Sequence, residues 1–182
     1  MTRTDLVHRI EQDILVREDW PTYSNRPADK GGPTRGGITL KTLSDYRGRK
    51  CSIAELQALT VDEARQIYRR RYIRPWAWIL DDRLFAVCAD YAVTSWHDDP
   101  TRALQTACNI HVDGKLGPQT RAAVLAHSDP TALRESVIAY RVLHMANLAI
   151  DEPAMQAFIH EHPKVQIRNL RGWLSRTVSF LG

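Results

Sequence analysis

At 182 residues and 43% hydrophobic, the chain suits one compact domain, or a domain with a closely packed lobe, with apolar side chains enough for a core. A net charge of +4 and a pI near 9.1 point to a polyanionic partner, and charge alone admits both bacterial wall polymers and nucleic acid. Three cysteines, Cys51, Cys88 and Cys108, without a CxxC pair, exclude a disulfide framework and a zinc ribbon and fit synthesis in a reducing cytoplasm.

Residues 5 to 17 put Leu6, Val7, Ile10 and Ile14 on one face and Arg9, Gln12 and Asp13 on the other, the spacing of an amphipathic helix, with Thr4 as its expected N-cap. No apolar run in the first twenty residues is long enough for a signal peptide or a membrane span. Pro21 discourages further helix, so Glu18 falls in the last turn or just past it. From 20 to 45 the glycines and prolines suggest a loop or short β-hairpin, with Gly31-Gly32 or Gly36-Gly37 as turns and Ile38 to Leu43 as a strand. The stretch has no Gly-Lys-Ser/Thr ending and no preceding strand, which argues against a phosphate loop.

Capping-box spacings at Ser52/Glu55 and Thr60/Glu63 predict helices over 53 to 59 and 61 to 73. The second carries Ala64, Ile67, Tyr68 and Tyr72 on one face, and the cluster Arg69, Arg70, Arg71 and Arg74 reads either as a solvated face or as an attraction for an anionic polymer. Further helices are expected over 81 to 96, 100 to 109, 118 to 127, 130 to 149, 153 to 160 and 166 to 180, Asp99 before Pro100 serving as an N-cap rather than a metal ligand. The last places Leu170, Trp173, Leu174 and Val178 on one face to seal the core. Between them, His111-Val112-Asp113-Gly114-Lys115-Leu116-Gly117-Pro118 makes a turn and starts the next helix. The histidines are scattered, and no catalytic metal or cofactor is expected.

The densest chemistry lies in residues 18 to 39, where Glu18, Asp29, Thr34 and Thr39 are separated by flexible glycines. Two carboxylates in different settings are the equipment of glycoside hydrolysis: one protonates the leaving oxygen, the other stays ionised and activates water or stabilises the sugar cation. Glu18, flanked by Leu15, Val16 and Trp20, fits the acid; Asp29, in a Gly-rich turn, fits the ionised partner. The plainer alternative is an ordinary helix-end residue and a turn former. Trp20, Tyr23, Trp76, Trp78 and Trp96 offer aromatic faces for a pyranose, or else core anchors.

Glu18, Asn25, Pro27, Asp29, Gly31-Gly32, Thr34 and Gly37-Ile38-Thr39 together resemble the N-terminal signature of glycoside hydrolase family 108, bacterial and phage N-acetylmuramidases. Leu104-Gln105, Asp113-Gly114, Gly117-Pro118, Thr120 and Gly172-Trp173 with Arg176 resemble the peptidoglycan-binding region that follows it. The resemblance departs at Asp19-Trp20, where the family has two glycines. It implies a mainly α, lysozyme-like fold (α+β), a helical bundle with a small β-hairpin or loop beside the catalytic helix end. Residues 1 to 80 would form the catalytic part and 81 to 182 a helical peptidoglycan-binding part, packed as one compact body. It maps the catalytic glutamate onto Glu18 and the polar residues after it onto Asp29 and Thr34, with Trp20, Tyr23, Asn25, Thr39 and Trp76 as substrate contacts.

The expectation is therefore a monomeric enzyme that cuts peptidoglycan glycan strands between N-acetylmuramic acid and N-acetylglucosamine, without cofactor, nucleic-acid partner or stable membrane insertion. Made in the cytoplasm, it would reach the wall through a holin or a specialised secretion system, as a phage endolysin does. The competing readings are a non-catalytic wall-binding or secretion-associated protein and a basic nucleic-acid binder.

Overall fold

The computed structural model describes residues 2–25, 32–95 and 98–151, in two compact units, Met1–Trp78 and Ile79–Gly182. In the first unit, α1 (Arg3–Arg17) starts on a capping box in which Thr2 accepts from the Asp5 N–H and the Asp5 carboxylate accepts from the Thr2 N–H. The cap is thus Thr2 rather than Thr4, because Asp5 stands at the third position that a reciprocal cap requires. Leu6, Ile10, Ile14 and Leu15 form its buried face. Three two-residue strands, β1 (Tyr23–Ser24), β2 (Thr34–Arg35) and β3 (Ile38–Thr39), make an antiparallel sheet in that order.

The predicted strand from Ile38 to Leu43 ends after Thr39, where helix α2 (Leu40–Arg47) begins. The Thr39 hydroxyl accepts from the Thr42 N–H at 3.0 Å, and Gly48 closes the helix at φ +66°. The β-branched Ile38, Thr39 and Thr42 masked this helix in the sequence; the cap and the stop decide it. Next come α3 (Ile53–Gln57) and α4 (Val61–Tyr68), capped by Ser52 and Thr60 as their spacing predicts. The helix expected to run to residue 73 changes character at Tyr68: Arg69–Ile73 form a π-helical turn and Arg74–Trp76 a 3₁₀ turn. Arg69 in that turn makes a two-pronged ion pair with Glu11, which is 2% exposed, and so ties the turn to α1.

The second unit contains α5 (Asp82–Thr94), α6 (Asp99–Ala107), α7 (Pro118–Leu125) and α8 (Pro130–Asp151). Asp81 caps α5, whereas at α6 the chain turns at Asp98, with Asp99, the expected cap, and Pro100 already inside the first turn. Phe85, Val87, Cys88 and Tyr91 of α5, Leu104 of α6 and Val137 of α8 are fully buried. The helices expected over 153 to 160 and 166 to 180, with the Gly172-Trp173 and Arg176 match, lie outside the described residues. The fold is mainly α with one small sheet and is lysozyme-like.

Candidate active site

Glu18 is the residue on which α1 ends. Its N–H still donates to the Ile14 carbonyl at 2.9 Å, and the next two residues fold back: Asp19 N–H to Val16 O at 3.2 Å and Trp20 N–H to Leu15 O at 2.9 Å. Such paired bonds terminate a helix through a left-handed residue, usually glycine. Here that residue is Asp19, at φ +55°. Aspartate is among the few non-glycine residues that tolerate this conformation, so the chain keeps the helix stop where its resemblance would place a glycine.

Gly36 and Gly37 form the two-residue turn between β2 and β3, with φ +50° and +74°. Two successive positive φ values define the hairpin turn whose twist matches the strands, and glycine meets that demand without strain. Both glycines are also needed for room. A Cβ on Gly37 would lie 2.5 Å from Oε2 of Glu18 and 2.8 Å from the Tyr68 hydroxyl, and one on Gly36 would overlap the Trp20 indole. The Glu18 carboxylate thus rests on bare backbone, with the Tyr68 hydroxyl against the same spot. Tyr68, only 2% exposed, donates to the Gly36 carbonyl at 2.5 Å and pins the turn to α4.

Tyr72, one turn further on, has its ring centre 5.8 Å from that of Tyr68. Burial pushes its phenol above the usual tyrosine range, the nearby Glu18 charge acts in the same direction, and Arg71 and a hydrogen bond with Thr42 oppose them. Glu18, Gly37, Tyr68, Tyr72 and Thr42 therefore form one polar cluster where α1, the hairpin turn, α2 and the π turn meet. Two tyrosine hydroxyls, one on a buried and one on a half-buried residue, beside a half-exposed carboxyl group can hold that carboxyl in one orientation towards a substrate.

The sequence-derived candidates divide. Cross-strand pairing aligns Ser24, Thr34 and Thr39 in one row and Tyr23, Arg35 and Ile38 in the other, so Tyr23 shares no face with Thr34 and Thr39. Thr39 has its hydroxyl 3.0 Å from that of Thr42 and caps α2. Trp20 seats the hairpin on the end of α1, with the Arg35 guanidinium 5.5 Å from its ring. Asn25 is exposed. Trp76 is 2% exposed and belongs to the core, so it offers no ring face to a sugar; the turns over 74 to 76 bury it. Val16, expected to shield Glu18, is 69% exposed. Asp29 and Trp96 lie outside the described residues. Tyr68, Tyr72 and Thr42 were not singled out by sequence as site residues. The spacing of Tyr68 and Tyr72 marks a core face, and nothing local links any of the three to a carboxylate so far back in the chain.

In the second unit the turn motif proves to be braced from within. The Gln105 amide donates to Asp113 Oδ1 at 2.7 Å and to the Thr120 hydroxyl at 3.0 Å, and its oxygen accepts from the Gly114 N–H at 2.9 Å. Gln105 and Thr120 are each 2% exposed. These residues shape the turn, and His111, Val112 and Lys115 are what it presents to solvent. Among the described residues no group of three His, Cys, Asp or Glu side chains could hold a metal ion, and no helix is long and apolar enough to cross a membrane.

A carboxylate on the end of the first helix, beside a small sheet in a helical body, is the layout of a lysozyme-like glycoside hydrolase. Residues 12–95 match the family Glycosyl hydrolase 108, and residues 99–178 match the Predicted Peptidoglycan domain. The chain thus carries two successive family matches, to glycosyl hydrolase 108 and then to a predicted peptidoglycan domain. Among solved structures it is similar to Brucella abortus SagA, at 27% identity over 97% of this chain and 96% of that one, with a TM-score of 0.73. A comparison with curated proteins found no match.

Proposed function

We propose that this glycoside hydrolase cleaves the glycan strand of peptidoglycan between N-acetylmuramic acid and N-acetylglucosamine, with Glu18 as general acid. Glu18 gives its proton to the glycosidic oxygen as the C–O bond breaks; a water molecule adds its oxygen to the anomeric carbon, and its proton passes to a second carboxylate. Asp29 fills that second role and Thr34 helps to hold the water. The observation that carries the reading is the seat of Glu18: a carboxyl group fixed at a helix end, against a glycine without Cβ and a buried tyrosine hydroxyl. The second unit binds the same polymer, as its peptidoglycan domain supports.

The test is release of reducing ends from purified peptidoglycan by the wild type and by Glu18→Gln, both shown to fold equally. Cleavage by the wild type that yields reducing N-acetylmuramic acid, and none by the variant, is expected. Two inactive proteins that still sediment with the wall would identify a binder instead. A fully active variant would move the active site elsewhere.

A further inference from the structure

Beside the Glu18 cluster, on the side of α2 and the π turn, lies a cavity of about 220 Å³ lined by Thr42, Asp45, Tyr46, Ile67, Arg70 and Arg71. Its polar character is cationic. Arg70 is exposed, its guanidinium 5.9 Å from the centre of the Tyr46 ring. Arg71 is half-buried; its Nε lies out of contact with solvent and makes no hydrogen bond, and its Nη1 reaches Asp45 only at 3.5 Å. The lining carboxylate, Asp45, is already held by Lys41 at 2.8 Å and kept ionised by that lysine. Two guanidinia therefore line the recess beside one carboxylate that Lys41 already engages, an excess of positive charge over a small recess. A guanidinium fork that its own carboxylate reaches only at 3.5 Å keeps the planar geometry that carboxylates take up bidentately.

The recess adjoins the place where the sugar would lie. The Tyr72 phenol hydrogen-bonds with Thr42 and Arg71, both in the lining, and feels the charge of Glu18. A muramic acid ring bound at Glu18 carries a lactyl arm, and that arm ends either in a free carboxylate or in a stem peptide with carboxylates of its own. We propose that the Arg70/Arg71 recess binds a carboxylate borne on the lactyl arm of muramic acid and so makes the enzyme prefer muramic-acid polymers to neutral N-acetylglucosamine polymers. This deepens the muramidase reading and rests on it for the identity of the ligand.

Binding is measured on Glu18→Gln by calorimetric titration, so that the result does not depend on turnover. The probes are soluble glycan fragments bearing stem peptides, the same fragments stripped to the lactyl acid, and N-acetylglucosamine tetramer. The carboxylate-bearing fragments are expected to bind roughly ten-fold or more tightly than the neutral tetramer, as a charge-assisted pair would give. Comparison of the peptide-bearing with the stripped fragments identifies which carboxylate is held. Adding Arg71→Gln should remove most of that preference, and adding Arg70→Gln, an exposed position that leaves the fold intact, should reduce it. Equal affinity for all three probes would overturn the proposal. So would an unchanged preference in folded Arg70→Gln and Arg71→Gln proteins. Reducing-end release by the wild type, measured separately, tells failure of the recess from failure of the catalytic reading.

Discussion

Two left-handed residues, Asp19 and Gly37, hold the Glu18 carboxylate in place, one at the end of its own helix and one beneath its side chain. They fail differently when replaced. Gly37→Ala puts a methyl group where Oε2 of Glu18 and the Tyr68 hydroxyl now sit, so the carboxyl group must move by more than a bond's vibration. Displacement of that order at a reacting group costs about 100-fold in kcat, and the left-handed alanine costs about 1–2 kcal/mol of stability; reducing-end kinetics and thermal melting check the two parts. At Asp19 the demand is on backbone alone. Asp19→Val is expected to lower stability by about 1–2 kcal/mol, while Asp19→Gly stays within about 1 kcal/mol of wild type, because relief of strain offsets the freer unfolded chain. Equal melting of both variants would show that the helix stop does not depend on this residue.

At the scale of elements, local chemistry made much of the fold legible and left some of it hidden. Ser52 and Thr60 announced α3 and α4 because a cap is a contact between near neighbours. Helix α2 was hidden behind β-branched residues, and the π turn after Tyr68 leaves no mark in spacing, since it answers to tertiary contacts such as that of Arg69 with Glu11. The same holds for the site: Glu18 and its glycines were readable as a stretch, whereas Tyr68 and Tyr72 become site residues only once α4 lies across the hairpin turn. The joint of α2, α3 and α4 carries a testable pH dependence. Arg47 binds both oxygens of Glu63 at 2.8 Å and Glu55 at 3.1 Å, and Arg49 also binds Glu55. Arg49, with the Ser52 N–H, pulls the Glu55 carboxyl down from 4.5 to about 2, and Arg47 lowers Glu63. Both values fall on folding, so the contribution is complete above the ordinary glutamate range and is lost as pH drops from about 4.5 towards about 2. Melting temperature should decline through that window, and Glu55→Gln should flatten the decline; an identical slope in the variant would remove the joint from the account.

At the scale of the whole molecule, the deepest ionic contact among the described residues lies in the second unit, 51 residues apart in sequence and invisible to any local pattern. Arg141 is wholly buried; its Nη1 donates to Asp90 at 2.8 Å, its Nη2 donates to the Thr94 hydroxyl at 2.9 Å, and its guanidinium lies 5.1 Å from the centre of the Tyr91 ring. Because the pair lost its hydration on burial, it adds little net stability as a whole, yet breaking it strands a charge. Asp90→Asn should therefore cost about 3–5 kcal/mol, and the apolar pair Asp90→Leu with Arg141→Met should recover most of that loss. The consequence reaches function through the second unit, which contains the predicted peptidoglycan domain. Asp90→Asn should sediment less with insoluble wall as temperature rises, in step with melting, and the apolar pair should restore both. Sedimentation that stays at the wild-type level after the second unit has melted would place wall binding outside that unit.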